Sequence, residues 1–165
     1  MHLKQLKNVI NKLIMAKEIE RKFLIEETIS PDLGIQKLIK QGYLIHDKNK
    51  QLRVRVIDHE SFICLKYTKS QVRDEYEYEI PLKDGLELMG KCKYKLEKIR
   101  TTISGIYTPY IIDIDTYPNG LVVAEVEFKT QEDCDNFKPI EWFGREITGE
   151  KEYSNITLAK QKLKF

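Results

Sequence analysis

From residue 18 onward, apolar and polar side chains alternate in short runs instead of recurring at three- and four-residue steps. Seven segments show this period of two, at 18–25, 51–58, 61–69, 74–81, 96–103, 110–116 and 121–129, and they are rich in Ile, Val, Tyr and Phe. Such runs predict half-buried strands. Between or after them, short helices are predicted over 31–41 (ended by Gly42), 84–94 (after Pro81), 131–137 and 155–163. Pro118-Asn119-Gly120 is a turn signal. Seven or eight strands, a few helices and no Pro/Gly/Ser linker indicate an α+β domain with an antiparallel sheet or barrel.

Residues 1–16 have another texture. Leu3, Leu6, Val9, Ile10, Leu13 and Ile14 fall at helical spacing with lysines between them. The continuous apolar stretch of a signal peptide is missing. Three readings stand: an amphipathic membrane-surface helix, an extra helix packed on the domain, or a segment upstream of a natural start at Met15. The expected division is an N-terminal extension over 1–14 and a single domain over 15–165.

Composition narrows the classes. The chain has 165 residues, 28 Lys+Arg against 26 Asp+Glu, and 33% charged residues, more than the roughly 25% usual for soluble domains. The near balance argues against a polybasic nucleic-acid binder but leaves room for a local basic site. No apolar run is long enough for a membrane span. Cys64, Cys92 and Cys134 form no C-x-x-C pair, which fits reduced thiols in a cytoplasmic protein. His2, His46 and His59 lack zinc-ligand spacing, and no Gly-rich phosphate loop or G-x-S-x-G is present.

The charges are placed by parity. Glu18, Glu20 and Lys22 share one strand face, as do Arg53 and Arg55, Lys98 and Arg100, Asp113 and Asp115, and Glu125 and Glu127. In the 74–81 run, Arg73, Glu75, Glu77 and Glu79 lie on one face, with Tyr76, Tyr78 and Ile80 on the other. Lys66 lies opposite Ile63, Leu65 and Tyr67. Any one such strand is what a sheet with a solvated face shows. The repeated pairing of like charges at i, i+2 is different, because each like pair of neighbours costs about 0.2–1 kcal/mol. A closed sheet with the charged face inside offsets that cost: cationic strands hold a polyanion, and anionic strands hold divalent cations that bridge to it. Hard cations such as Mg²⁺ take carboxylate oxygens and substrate phosphates, and arginines bind phosphate bidentately.

Glu18-Ile19-Glu20-Arg21-Lys22 resembles the E-x-E-x-K signature of the CYTH family, the triphosphate tunnel metalloenzymes. The resemblance runs along nearly the whole chain from residue 15: E-I-E-R-K-F-L-I, Q-G-Y-L, R-V-R-V, the lone Lys66, R-D-E-Y-E-Y-E-I-P, E-K-I-R, I-D, G-L-V-V-A-E-V-E, E-I-T-G and Y-S-N-x-x-L-A. It implies an eight-stranded antiparallel β-barrel with short flanking helices. The barrel's charged tunnel would bind inorganic triphosphate or the triphosphate tail of an organic molecule. Short bacterial members similar to this chain are inorganic tripolyphosphatases. Other relatives are thiamine triphosphatases, class IV adenylate cyclases and RNA triphosphatases.

Carried over residue by residue, the resemblance gives metal-site carboxylates at Glu18, Glu20, Glu75, Glu77, Asp115, Glu125 and Glu127. Asp115 is preferred to Asp113 by counting back from Gly120. Phosphate contacts are expected from Lys22, Arg53, Arg55, Lys66, Arg73, Lys98 and Arg100. Tyr43, Glu20 and Lys22 are the expected catalytic residues. Tyr43 would be the proton acceptor, or else a packed aromatic under the barrel end. Trp142 and Phe143 are expected as a core contact or plug rather than a base-stacking pair. The chain departs from close relatives over 104–110 and in the 1–14 extension. The expected activity is Mg²⁺- or Mn²⁺-dependent hydrolysis of a linear triphosphate, with inorganic tripolyphosphate first. The alternatives are a thiamine or nucleoside triphosphatase, a class IV adenylate cyclase, or a non-catalytic polyphosphate-binding module. The expected partner is the small-molecule triphosphate, without nucleic acid or membrane, in a monomer or homodimer.

Overall fold

The computed structural model describes residues 19–26, 34–69, 72–104 and 109–161. Eight strands follow one another as β1 (Ile19–Leu24), β2 (Ile35–His46), β3 (Lys50–Ile57), β4 (Glu60–Lys69), β5 (Val72–Ile80), β6 (Tyr94–Ser104), β7 (Ile111–Thr116) and β8 (Val122–Phe128). Three short helices join them: α1 (Leu82–Lys91), α2 (Gln131–Asn136) and α3 (Asn155–Lys160). All pairings are antiparallel, in the order β1-β8-β7-β6-β2-β3-β4-β5. The eight-stranded antiparallel architecture is as expected. The ladder itself ends at β1 and β5, which do not pair with each other among the described residues. The sheet nevertheless curls far enough that side chains from both ends line one cavity.

Strand β2 corrects the sequence reading, which put a helix over 31–41. Residues 31–33 lie outside the described part, and from Ile35 on the chain is a strand. Ile35, Leu38 and Ile39 imitate the i, i+3, i+4 spacing of a helix. The segment is a strand because both its edges are satisfied, by β3 on one side and β6 on the other. Gly42 is not a helix end but a point of close approach. A Cβ there would lie 2.6 Å from Cys92 Sγ and 2.8 Å from Met89 Sδ, where α1 closes on the sheet. Gly120 does serve its expected turn, with φ +83. The predicted helix over 1–14 lies outside the described residues.

Because the polar face is inside, the apolar faces point outward and need cover. Helix α2 and the segment after it cover β1 and β8, forming a core with Phe23, Ile112, Ile114, Val126 and Phe137. Thr130 caps α2 by accepting a hydrogen bond from Asp133 N at 3.1 Å. Trp142 and Phe143 pack on this outer core, with Phe143 4.8 Å from Phe23, and so lie away from the charged face. Helix α1 covers β2, β3 and β4. A second core holds Tyr43, Leu96, Tyr117, Val123, Ile156 and Leu158, and α3 packs there against β6. No helix among the described residues is long and apolar enough to cross a membrane.

Candidate active site

The strand parities converge on a cavity of about 340 Å³. Its lining includes Glu20 and Lys22 from β1, Arg53 and Arg55 from β3, Lys66 from β4, and Glu75 and Glu77 from β5. Lys98 and Arg100 come from β6, and Glu125 and Glu127 from β8. Each was expected there. A smaller lobe of about 150 Å³ shares Glu20, Lys22, Arg53, Lys66 and Asn155 with the main cavity, so the two adjoin. Glu18 and the Arg73 side chain lie outside the described residues.

Register turns the parities into ion pairs. Lys22 stands opposite Glu125 across β1 and β8, and its Nζ is 2.7 Å from Glu125 Oε1 and 3.2 Å from Glu20 Oε1. Lys66 stands opposite Glu75, with Nζ 2.9 Å from Oε2. Arg53 Nη2 donates to Glu75 Oε1 at 2.8 Å, and Arg55 Nη1 lies 3.2 Å from Glu77 Oε2. Burial opposes the Lys22 charge, but Glu125 and Glu20 outweigh it and raise its pKa. Burial would raise Glu125, but Lys98, Lys22 and Arg100 hold its carboxyl well below the usual range.

Arg100 is the most heavily used cation. Its Nε and Nη2 donate to Asp115, Nη2 also to Glu125, and Nη1 to Asp113, each at 2.7 Å. A guanidinium has five N–H donors, so one remains for a ligand. Asp115, expected as a metal ligand, is corrected here. It is fully buried, and its oxygens accept from Lys98 Nζ and Arg100. It anchors two cations from beneath the cavity and is not free for a hard cation. The β7 carboxylate that lines the cavity is Asp113, two residues earlier on the same face, held by Arg100 and by Thr102 Oγ1 at 2.6 Å.

Tyr43 is 4% exposed and lines the smaller lobe. Gln41 Nε2 donates to its hydroxyl at 2.7 Å. Burial raises the phenol's pKa despite the opposing pull of Arg53, Arg55 and Lys22. Burial in the second core and the raised pKa favour the packed-aromatic reading of Tyr43 over the proton acceptor.

The donor set decides which cation these walls fit. Glu20 and Glu127 stand directly opposite each other in the β1–β8 register, a like-charge pair. Partial burial, then Glu20, Asp113 and Glu75, push the Glu127 carboxyl up. Glu77 Oε2 is a buried oxygen without a hydrogen-bond partner among the described residues. Glu20 and Glu77 keep only 3.2 Å contacts to Lys22 and Arg55, and such crowded, loosely paired carboxylates fit a hard divalent cation. Cys64 lies close to Glu75 and Glu77, but burial pushes its thiol up to about 11, and Sγ donates to Glu75 Oε1 at 2.9 Å. A protonated thiol adds nothing to an oxygen-ligand site.

Besides Asp113, sequence reasoning missed three residues that line the main cavity: Ile39, Ile111 and Asn155. The parity of Ile39 was hidden by the helix reading. Ile111 shares its face with Asp113 and could have been found from it. Asn155 was visible only as part of Y-S-N-x-x-L-A, with no chemistry attached to it.

The CYTH domain model matches residues 16–160. An inorganic triphosphatase of Acetivibrio thermocellus is 35% identical over 156 residues, 91% of this chain and 97% of that protein. An inorganic triphosphatase of Nitrosomonas europaea is 32% identical over 147 residues, 86% of this chain and 96% of that protein. A crystal structure of an inorganic triphosphatase superposes with a TM-score of 0.66 at 31% identity, covering 88% of this chain and 95% of that one. A tunnel of paired cations and carboxylates, the eight-stranded antiparallel order and these likenesses agree, and the chain belongs to the CYTH family.

Proposed function

We propose that the protein is a divalent-metal-dependent hydrolase of a linear triphosphate, with inorganic tripolyphosphate as substrate. The observation that carries this reading is one continuous cavity lined by six cations and six carboxylates drawn from seven strands. The names of its relatives support the substrate class. The cavity's formal charge is near zero when every group is ionised. Anion binding alone gains nothing from six carboxylates, whereas a triphosphate carrying its own divalent cations matches both signs.

Glu20, Glu127 and Glu77, with Asp113 beside them, are the residues that would hold Mg²⁺ or Mn²⁺. Such an ion, when bound, supplies a water of lowered pKa and neutralises charge on the leaving oxygen. Lys22, Arg53, Arg55 and Lys66 hold the phosphate chain, and Lys98 and Arg100, anchored by Asp115, fix its inner side. These cations counter the charge that grows on the equatorial and bridging oxygens as the P–O bond breaks. Among the described residues the main cavity is lined by no aromatic ring, so its walls suit phosphates rather than a stacked base. The attacking water's proton passes to a lining carboxylate, because the Tyr43 phenol stays protonated.

The test is a product assay on tripolyphosphate, thiamine triphosphate, ATP and pyrophosphate with Mg²⁺ or Mn²⁺. Release of orthophosphate from tripolyphosphate, abolished by excess EDTA, is expected. Full turnover in metal-free buffer sinks the metal assignment. Cyclic AMP with pyrophosphate from ATP makes the protein a cyclase, and tight binding without turnover makes it a binding module.

A further inference from the structure

Asn155 lines both the main cavity and the smaller lobe, at their junction with Lys22, Arg53 and Lys66. Its position is fixed from both sides. Ser154 caps α3 with Oγ accepting from Thr157 N, and Ile156, Leu158 and Ala159 are buried beneath the helix. The side chain is oriented too, because Tyr117 Oη donates to Asn155 Oδ1 at 2.8 Å. Tyr117 is 2% exposed, and burial, then Asp115 and Glu125, raise its pKa well above the usual value. With the hydroxyl proton directed at Oδ1, the amide presents its oxygen to Tyr117. The Nδ2 group is left pointing away from Tyr117, and no partner for it occurs among the described residues. A second observation lies on the same junction. Arg53, 7% exposed, lines it together with Lys22 and Lys66. A free amide donor at this junction calls for an acceptor, and three cations around it call for an anion.

We propose that Asn155 is a substrate-binding residue whose amide donates to a phosphate oxygen at the junction of the two lobes, with Tyr117 fixing the direction of the amide. This rests on the triphosphate reading above. The residue adds a neutral, directional donor to a set of point charges, which fixes the rotation of the phosphoryl group that the cations hold. Tyr117 acts through Asn155 and is a positioning residue.

The experiment compares wild type, Asn155→Asp, Asn155→Ala and Tyr117→Phe by calorimetric titration with inorganic tripolyphosphate in Mg²⁺ buffer, steady-state hydrolysis and thermal melts. Loss of a hydrogen bond to a charged group predicts that Asn155→Asp raises Kd and KM by about tenfold or more, and Asn155→Ala by roughly threefold to tenfold. Tyr117→Phe shifts both in the same direction but less, because the amide remains and only its orientation is freed. A merely structural role moves the melting temperature and leaves KM in place. Wild-type-like Kd and KM in Asn155→Asp, with an unchanged melt, overturn the proposal. If that variant fails to fold, Asn155→Ala carries the same comparison. A wild-type protein that neither binds nor hydrolyses tripolyphosphate overturns the triphosphate reading, and so separates the two failures.

Discussion

Replacing Asp115 by asparagine tests the claim that this carboxylate is an anchor and not a ligand. Its two oxygens accept from Lys98 and twice from Arg100, and it is fully buried. Lys98 is 3% exposed, and Asp115 is its hydrogen-bonded carboxylate, with Glu125 the further anion acting on it. Burial already lowers the Lys98 pKa, with Asp115 pulling the other way. An asparagine keeps one acceptor and turns an NH₂ group toward cations that are themselves donors. Breaking a buried pair from one side costs about 3–5 kcal/mol. For a domain of this length each kcal/mol is about 2–4 °C in Tm, so the variant should melt roughly 10 °C lower. Asp113→Asn is the control, since Asp113 also pairs with Arg100 but its side chain is 25% exposed. Solvent screens that pair, so its loss should be a small fraction of the first. The assay is a thermal melt followed by circular dichroism, without ligand. An Asp115→Asn melt within about 2 °C of wild type, or an equal loss in Asp113→Asn, refutes the anchor argument.

Other outcomes follow from the same geometry. Arg55→Ala should raise KM for tripolyphosphate about tenfold with a smaller change in kcat, because a ground-state phosphate contact is removed. Glu20→Gln should leave the melt intact and lower kcat by tenfold or more, and near-normal kcat at saturating Mg²⁺ would move the metal site to β5 and β8. Glu125 has a folded pKa below its ordinary value, so its stabilisation is complete above about pH 4.5 and is lost as pH falls further. Glu125→Gln should therefore flatten the acid limb of Tm against pH, and an unchanged limb would rule out its ion pairs as the source. Cys64, Cys92 and Cys134 are buried, and burial raises each pKa. Native protein at pH 8 should resist iodoacetamide while unfolded protein takes three labels, as mass spectrometry would count; rapid native labelling would contradict the burial.

Most of the site was legible because parity is a strong signal wherever a strand separates two very different environments. Glu20 and Lys22, Arg53 and Arg55, and Glu125 and Glu127 each occupy alternate positions, and the pleat sends alternate positions to one face. The residues that escaped lack that contrast. Ile39 is apolar on a charged face, so its strand looked like a helix. Between Asp113 and Asp115 parity cannot choose, since both share the inner face. The choice is made by depth along the strand, where Asp115 meets Lys98 and Asp113 meets the open cavity. Tyr43 shows the same limit: a proton acceptor and a packed aromatic were both open from the sequence, and the sign of its pKa shift depends on burial outweighing three nearby cations.

The ion pairs also explain how a cavity this charged can exist before anything binds. Lys22 with Glu125, Arg53 and Lys66 with Glu75, and Arg100 with its three carboxylates relieve one another across strands. A bare anion entering this network would free the cations by stranding their carboxylates, and a bare divalent cation would do the reverse. Each alone breaks pairs that it cannot repair, and buried unpaired charge is costly. On the proposed reading, the two together would exchange both partners at once, phosphate oxygens facing the cations while the carboxylates hold the divalent ions. The near-neutral interior would then favour the metal-bound triphosphate over either component, a coupling that would arise from the β1–β8 and β4–β5 registers.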